Sequence, residues 1–283
     1  MTLLAPRFGA LPAGWVPSKE PPMIPGPSAS RSDRPLFERL FANYLAFLVR
    51  HRDTVERKDG MVLVDSTTPE FVCVLLEDAP DLAAVPERFR VARLLPWSRL
   101  GETDLLARGF APRGSLTYMT LTGRGEFAVP PDLLVERVLS SQAMDVFTEI
   151  QTRTFLAPGD SYEKWYTRLR GRNGSNLHRD EQRFYVASRE GRSASVLLTV
   201  LEQGTLGIYG VATLPAERKR GTSAALLAHA IREGRAQGAE TVTLQVQTGS
   251  YAQALYEKLG FESAFVSTIY EKPAPLSPTS RGT

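Results

Sequence analysis

The stretch that most constrains how this chain can fold lies between Gly210 and Leu227, where a strand-like run gives way to a helix through a short basic turn. It reads Gly210-Val211-Ala212-Thr213-Leu214-Pro215-Ala216-Glu217-Arg218-Lys219-Arg220-Gly221-Thr222-Ser223-Ala224-Ala225-Leu226-Leu227. The helical period continues to about Gln237, and Gly238 supplies a C-terminal stop. A helix start offers unbonded backbone N–H groups and the positive end of the helix dipole, which together suit a phosphate. Gly221 lets the backbone approach an anion with no side chain in the way. Thr222, Ser223 and Ala224 are small and keep the first turn open, while Arg218, Lys219 and Arg220 place cations beside it. A basic, glycine-containing turn before a helix is also a common solvated surface turn, so its meaning depends on its surroundings.

Those surroundings alternate between strand and helix periods, as in a mixed α/β chain. Residues 131–272 read as strand Leu133–Leu139, helices Gln142–Phe155 and Tyr162–Leu169, a polar loop Gly171–Asp180, and strands Arg183–Ser188, Ala194–Glu202 and Thr205–Thr213. The turn signals Glu190-Gly191 and Gln203-Gly204 predict an antiparallel meander for those three strands. After the helix at Thr222–Gln237 come strand Thr241–Val246, helix Tyr251–Leu259 and strand Ser263–Tyr270. Residues 35–124 repeat the mixture: a helix over 35–50, strands Met61–Val64, Phe71–Leu76 and Phe89–Leu95, a short helix ending in Leu105–Phe110, and strand Ser115–Leu121. Arg124–Pro131, with its glycines and prolines, reads as the linker. Residues 1–34 and 273–283 are rich in proline, serine and glycine without periodicity, and are expected to be flexible arms.

With 283 residues, 42% hydrophobic and 23% charged, the chain can bury a sizeable core as one large domain or two ordinary ones. Its apolar runs are short and interrupted, which predicts no membrane span, and Met1–Ala10 lacks the layout of a secretory signal. The single cysteine, Cys73, sits in an apolar run, fits a buried structural thiol and points to a reducing, cytoplasmic setting. His51, His178 and His229 are scattered, so no metal site is expected. The net charge is +3, with basic residues dispersed among acidic ones, which argues against a nucleic-acid face despite Arg218-Lys219-Arg220.

The basic turn gains meaning from a second signature after the next strand, Leu255-Tyr256-Glu257-Lys258-Leu259-Gly260-Phe261. The pair resembles the Gcn5-related N-acetyltransferase (GNAT) superfamily. Its coenzyme A loop has the form Arg/Gln-x-x-Gly-x-Gly/Ala after a bulged strand, falling here on Arg218, Gly221 and Ser223, with Ser223 in place of Gly or Ala. The later signature, Leu-Tyr-x-x-Leu-Gly-Phe, falls on Leu255 to Phe261 without departure. The resemblance implies a mixed, mostly antiparallel central sheet flanked by helices. It also implies an acyl-coenzyme A, by the family's habit acetyl-coenzyme A, as acyl donor in direct transfer to an amine.

The resemblance extends to individual residues. It places the pantetheine arm along Tyr209, Gly210, Val211 and Ala212, with a backbone N–H there, that of Val211, facing the thioester oxygen. It sets the pyrophosphate against Arg218, Lys219, Arg220, Gly221, Thr222 and Ser223. Tyr256 becomes the proton donor to the departing thiolate, a role suited to a phenol that stays protonated at neutral pH with a reference pKa of about 10. Two departures stand out. The turn Gln247-Thr248-Gly249-Ser250 lacks the asparagine of many relatives, and strand Thr205–Thr213 holds no Asp or Glu to act as general base. Glu202, Tyr209, His178 and a water relay all stay open for that role.

Residues 35–124 look like a worn copy of the same unit. Leu105–Phe110 followed by Ser115–Leu121 has the shape of Tyr256–Phe261 followed by Ser263–Tyr270, with Leu105 at the place of Tyr256 and no coenzyme A loop before it. An unrelated α/β cap fits the same residues; either would supply scaffold or a wall of the acceptor site. Acyl transfer to a small-molecule amine or peptide is the leading expectation. A binding module for acyl-coenzyme A without turnover is the alternative, and a homo-oligomer is left open.

Overall fold

The computed structural model describes residues 34–51, 54–65, 72–123, 127 and 129–273. The expected arms at 1–34 and 273–283 lie outside these residues except at their inner ends, and the Arg124–Pro131 linker lies partly outside. In chain order the elements are α1 (Arg34–His51), β1 (Thr54–Lys58), β2 (Met61–Asp65), β3 (Cys73–Leu76), β4 (Val91–Leu94), α2 (Glu102–Ala107), β5 (Ala111–Leu121), β6 (Leu133–Arg137), α3 (Ser141–Phe155), α4 (Tyr162–Gly174), β7 (Gln182–Arg189), β8 (Arg192–Glu202), β9 (Thr205–Thr213), α5 (Thr222–Ala236), β10 (Thr241–Gln247), α6 (Tyr251–Lys258) and β11 (Phe261–Glu271).

Among the described residues, all eleven strands join one sheet in the order β1-β2-β3-β4-β11-β5-β10-β9-β8-β7-β6. Neighbours are antiparallel except β3–β4 and β9–β10, which agrees with the mixed, mostly antiparallel expectation. Each parallel pair is followed by a helix, α2 or α6, and then a last strand, β5 or β11. These last strands cross over. β11 pairs with β4, β5 pairs with β10, and the two pair with each other from Phe261↔Leu121 to Glu271↔Ala111. Apart from the extra edge strand β6, the sheet therefore reads the same way inward from β1 and from β7, and residues 35–124 and 131–272 are joined by exchanged strands.

One face of the sheet is covered by α1 and α3, with α4 packed on α3. The apolar stripe of α1 (Phe37, Leu40, Phe41, Tyr44, Phe47, Leu48) lies at helical spacing and meets Tyr118, Phe265 and Tyr209. The other face carries α5 over β7, β8 and β9, α6 over β10 and β11, and α2 over β3 and β4. Serine side chains cap three helices: Ser140 accepts the Ala143 N–H at 3.1 Å, Ser161 that of Lys164 at 3.4 Å and Ser250 that of Gln253 at 3.2 Å. The expected hairpin turns Glu190-Gly191 and Gln203-Gly204 have both φ values positive, as two-residue hairpins require. Among the described residues no helix is long and apolar enough to cross a membrane.

Two local readings need correction. Residues 171–174, expected to be loop, form the last turn of α4, held by tertiary hydrogen bonds from Asn173. Thr54–Lys58 forms a strand with no apolar alternation to announce it. It is the charged edge of the sheet, paired to β2 through the Asp59-Gly60 turn.

Candidate active site

Strands β9 and β10 pair only from Thr205↔Thr241 to Ile208↔Leu244. Beyond that point β9 continues to Thr213 bonded to β8 alone, and β10 continues to Gln247 bonded to β5. A gap therefore opens in the middle of the sheet. At its start β9 carries a bulge: Leu198 faces Tyr209 and Val196 faces Ala212, so Gly210 and Val211 together oppose Leu197. Gly210 takes φ +59°, a left-handed value that suits the extra residue of a bulge. A Cβ there would stand 2.5 Å from Gln151 Nε2.

The bulge divides its side chains between the two faces. Val211 packs with the α5 and α6 side, where Tyr256 also lies against Phe261 with ring centroids 5.6 Å apart. Burial pushes the Tyr256 phenol up to about 12, so it holds its proton throughout the neutral range. Tyr209 and Ala212 face α1 and α3. The turn leading into α6 is anchored from the first half of the chain, since Thr248 N–H donates to Ser115 O at 3.0 Å and Thr248 Oγ1 meets Thr117 Oγ1 at 2.9 Å.

Helix α5 begins at the far end of the gap. Unlike α3, α4 and α6 it has no side-chain cap, because its N-cap is Gly221 at φ +76°. The first-turn N–H groups of Thr222, Ser223 and Ala224 have no helical acceptor, by the geometry of any helix start. Pro130 Cγ would stand 3.1 Å from a Cβ at Gly221, so a larger residue would crowd the turn. Arg218 folds back, its Nε donating to Thr213 O at 3.2 Å. Arg220 reaches Glu217 at 3.1 Å, and Lys219, at φ +62°, is exposed. Thr222 is buried, with Oγ1 3.5 Å from Glu217 O.

Sequence reading overlooked the residue that ties this loop down. Arg189 on β7 is buried, donates from Nη2 to Arg220 O at 2.9 Å, bonds Asp132, and lies 3.6 Å from Glu217. Its only sequence signal was an arginine at the end of a strand. Gln151 and Asn173 were also overlooked; they sit on the buried side of α3 and α4. Asn173 Nδ2 donates to Gln151 Oε1 at 3.0 Å, and Gln151 Nε2 donates to Gly210 O at 3.4 Å. A polar residue in phase with Met144, Phe147 and Ile150 was the available clue.

The structure does not bring Glu202 or His178 to the bulge. Glu202 closes the β8–β9 hairpin and bonds Arg50 at 3.4 Å, five residues of strand or more from Gly210, which is roughly 17 Å. His178 is exposed in the turn after α4, a turn stitched to Arg50 O by Asn176. Tyr209 is at the bulge, but its hydroxyl is buried and donates to Asn43 Oδ1 at 2.6 Å. Burial, with the Tyr44 phenol beside it, pushes Tyr209 well above its ordinary value, so it does not give up its proton to become a base. Among the described residues no group of three or more His, Cys, Asp or Glu side chains could hold a metal ion.

The bulge, the parted parallel strands and the uncapped glycine-led helix coincide with a family match. Residues 144–261 match the model of the Acetyltransferase (GNAT) family. This stretch of the chain is a GNAT domain. Solved structures agree on the fold. A GCN5-related N-acetyltransferase from Kribbella flavida superposes with a TM-score of 0.61 at 16% identity, covering 84% of this chain and 95% of its own. A functionally unknown conserved protein from Staphylococcus epidermidis gives 0.63 at 13% identity, covering 81% and 96%. Such shares exceed what residues 131–272 alone can supply, so the likeness takes in the strands on both sides of the GNAT domain. No curated protein sequence matches the chain.

The other parallel pair of the sheet opens no such gap. β3 and β4 stay paired to their common end at Leu76↔Leu94, with no gap between them. A short 3-10 turn, Leu82–Ala84, stands between these strands where α5 stands between β9 and β10.

Proposed function

We propose that this protein is an acyl-coenzyme A-dependent N-acyltransferase, with acetyl-coenzyme A as donor, that passes the acyl group directly to an amine in a ternary complex. The observation that carries the reading is the bulge at Gly210-Val211, set where β9 and β10 stop pairing and within a GNAT domain. The chain's groups fit such a donor: a gap for an extended arm, and an uncapped helix start with Gly221 for a pyrophosphate. When bound, the donor supplies an activated thioester. Lys219 and Arg220 would lie beside the pyrophosphate, with Arg218 bracing the turn, and Tyr209 to Ala212 would line the arm.

The chain's residues then divide the chemistry. The Val211 N–H meets the negative charge that develops on the thioester oxygen as the amine attacks. Tyr256 gives its proton to the sulfur as the carbon–sulfur bond breaks. The raised phenol does not disqualify it as an acid, because the burial that disfavours the phenolate also disfavours a free thiolate in the same gap. With Glu202 and His178 at the other end of β9, water is left to carry the amine proton out. We further propose that residues 35–124 are a second, silent copy of the unit, in keeping with their order of elements and their closed β3–β4 pair.

That same distribution of bases favours one competing reading, acyl-coenzyme A binding without turnover. Free-thiol release from acetyl-coenzyme A across a panel of amines, wild type beside Tyr256→Phe, separates the two. Amine-dependent release reduced in Tyr256→Phe supports transfer; binding with no release for any amine favours the binding module; no binding refutes both.

A further inference from the structure

Gln151 has no part in the proposed chemistry, yet it is buried at 4% exposure with its carboxamide against the bulge. It ends a polar chain that begins at Asn173, 2% exposed, whose Nδ2 also lies 3.5 Å from the hydroxyl of the fully buried Thr148. Because Asn173 donates to Gln151 Oε1, the Nε2 group is the end turned to Gly210 O. Buried polar chains of this kind hold their members in one arrangement.

The Gly210 carbonyl and the Val211 N–H are parts of one peptide group. A trans peptide is planar, and its C=O and N–H point in opposite directions. Anything that draws the Gly210 oxygen towards α3 therefore aims the Val211 N–H away from α3. The left-handed φ of Gly210 leaves this peptide outside the ordinary strand ladder, where a partner beyond the sheet can set its orientation.

From this geometry we infer that Gln151, backed by Asn173, is a positioning residue that sets the Val211 N–H for the donor's thioester oxygen by holding the other edge of the same peptide. The inference rests on the acyl-coenzyme A reading of the gap. Gln151 touches neither donor nor acceptor; it acts through the backbone. Twenty-two residues separate Gln151 from Asn173, and the pair is completed only by the packing of α3 on α4.

Isotope-edited infrared difference spectroscopy tests it with the full chain and acetyl-coenzyme A carrying carbon-13 at the thioester carbonyl. Gln151→Glu keeps the size and the acceptor for Asn173 but removes the donor to Gly210 O. Gln151→Met, neutral and of similar length, gives the same readout should the buried carboxylate unfold the chain. The expected result is a carbonyl band shifted below its value in water for the wild type, a shift lost in the variants, with dissociation constants for acetyl-coenzyme A near wild type and thermal midpoints lowered but above the assay temperature. An equal shift in wild type and variants overturns the positioning role and leaves the acyl-coenzyme A reading standing. Bound donor with no shift in the wild type also overturns it, and absence of binding to the wild type removes the reading on which it rests.

Discussion

Asn43 on α1 accepts the hydroxyl hydrogen of Tyr209 on β9 at 2.6 Å, across 166 residues of chain. The same carboxamide donates to Val200 O at 3.0 Å and Thr205 O at 2.7 Å, so all its directed bonds go to the β8–β9 hairpin. Phe47, one turn further along α1, stacks on the Tyr209 ring at 4.0 Å and 5°. The first helix of the described chain is thus the backing of the strand that carries the bulge, although it lies far outside residues 144–261.

Removing that carboxamide leaves two carbonyls and a hydroxyl without their partner. Asn43→Ala is expected to cost about 2–4 kcal/mol of unfolding free energy, since each buried unsatisfied group costs about 1–3 kcal/mol and water can reach some of them. Gly207 makes room for this contact: a Cβ there would overlap Asn43 Oδ1. Gly207→Ala should therefore destabilise less in the Asn43→Ala background than in the wild type. Urea midpoints for the four-protein cycle measure the coupling, and strict additivity would contradict the packing described.

Tyr256→Phe keeps the ring against Phe261 and loses only the proton. Amine-dependent thiol release is expected to fall by about 10²-fold, the usual range for a general acid, with the acetyl-coenzyme A dissociation constant little changed. Since the phenol titrates only near 12, it contributes no descending limb to the rate below that region. A limb near the ordinary tyrosine value that vanished in Tyr256→Phe would contradict this environment.

Arg189→Ala releases the loop rather than touching the donor. Loss of its bonds to Arg220 O, Asp132 and Glu217 should raise KM for acyl-coenzyme A while kcat at saturation stays near wild type. The freed acceptors are exposed or half-buried and open to water, so a stability loss of only about 1 kcal/mol is expected. A fall in kcat with KM unchanged would count against an anchoring role.

Alkaline pH should unfold the chain through its tyrosines. Tyr118, Tyr185, Tyr209, Tyr256 and Tyr270 are all raised, each with burial as the largest cause. A raised folded value means the unfolded chain loses these protons first, from its ordinary value of 10 upward. The stability is therefore fully present below about 10 and falls as pH rises towards 12. Tyrosinate absorbance and circular dichroism followed together should show ionisation of these groups coinciding with unfolding.

How far the fold was legible differs from element to element. The hairpins at Glu190-Gly191 and Gln203-Gly204 and the helix that starts at Thr222 stood out, because turn chemistry and apolar period are written in neighbouring residues. The loop at Arg218–Ser223 and the Leu255–Phe261 signature were legible for the same reason. Strand β1 was not, because an edge strand of charged residues carries no alternation. The last turn of α4 was missed because its propensity is weak and Asn173 holds it by bonds to α3.

The sequence by itself determined the periods, the turns and the two local signatures, and through them the α/β class and the GNAT resemblance. Only the tertiary structure decided that β5 and β11 exchange places, that Asn43 backs Tyr209, that Arg189 anchors the loop and that Gln151 reaches Gly210. The division has a physical cause. Turn and helix signals act within a few residues through backbone sterics and local hydrogen bonds. The partner of a strand edge, or of a buried amide, is chosen by packing among groups that meet only when the whole sheet has formed.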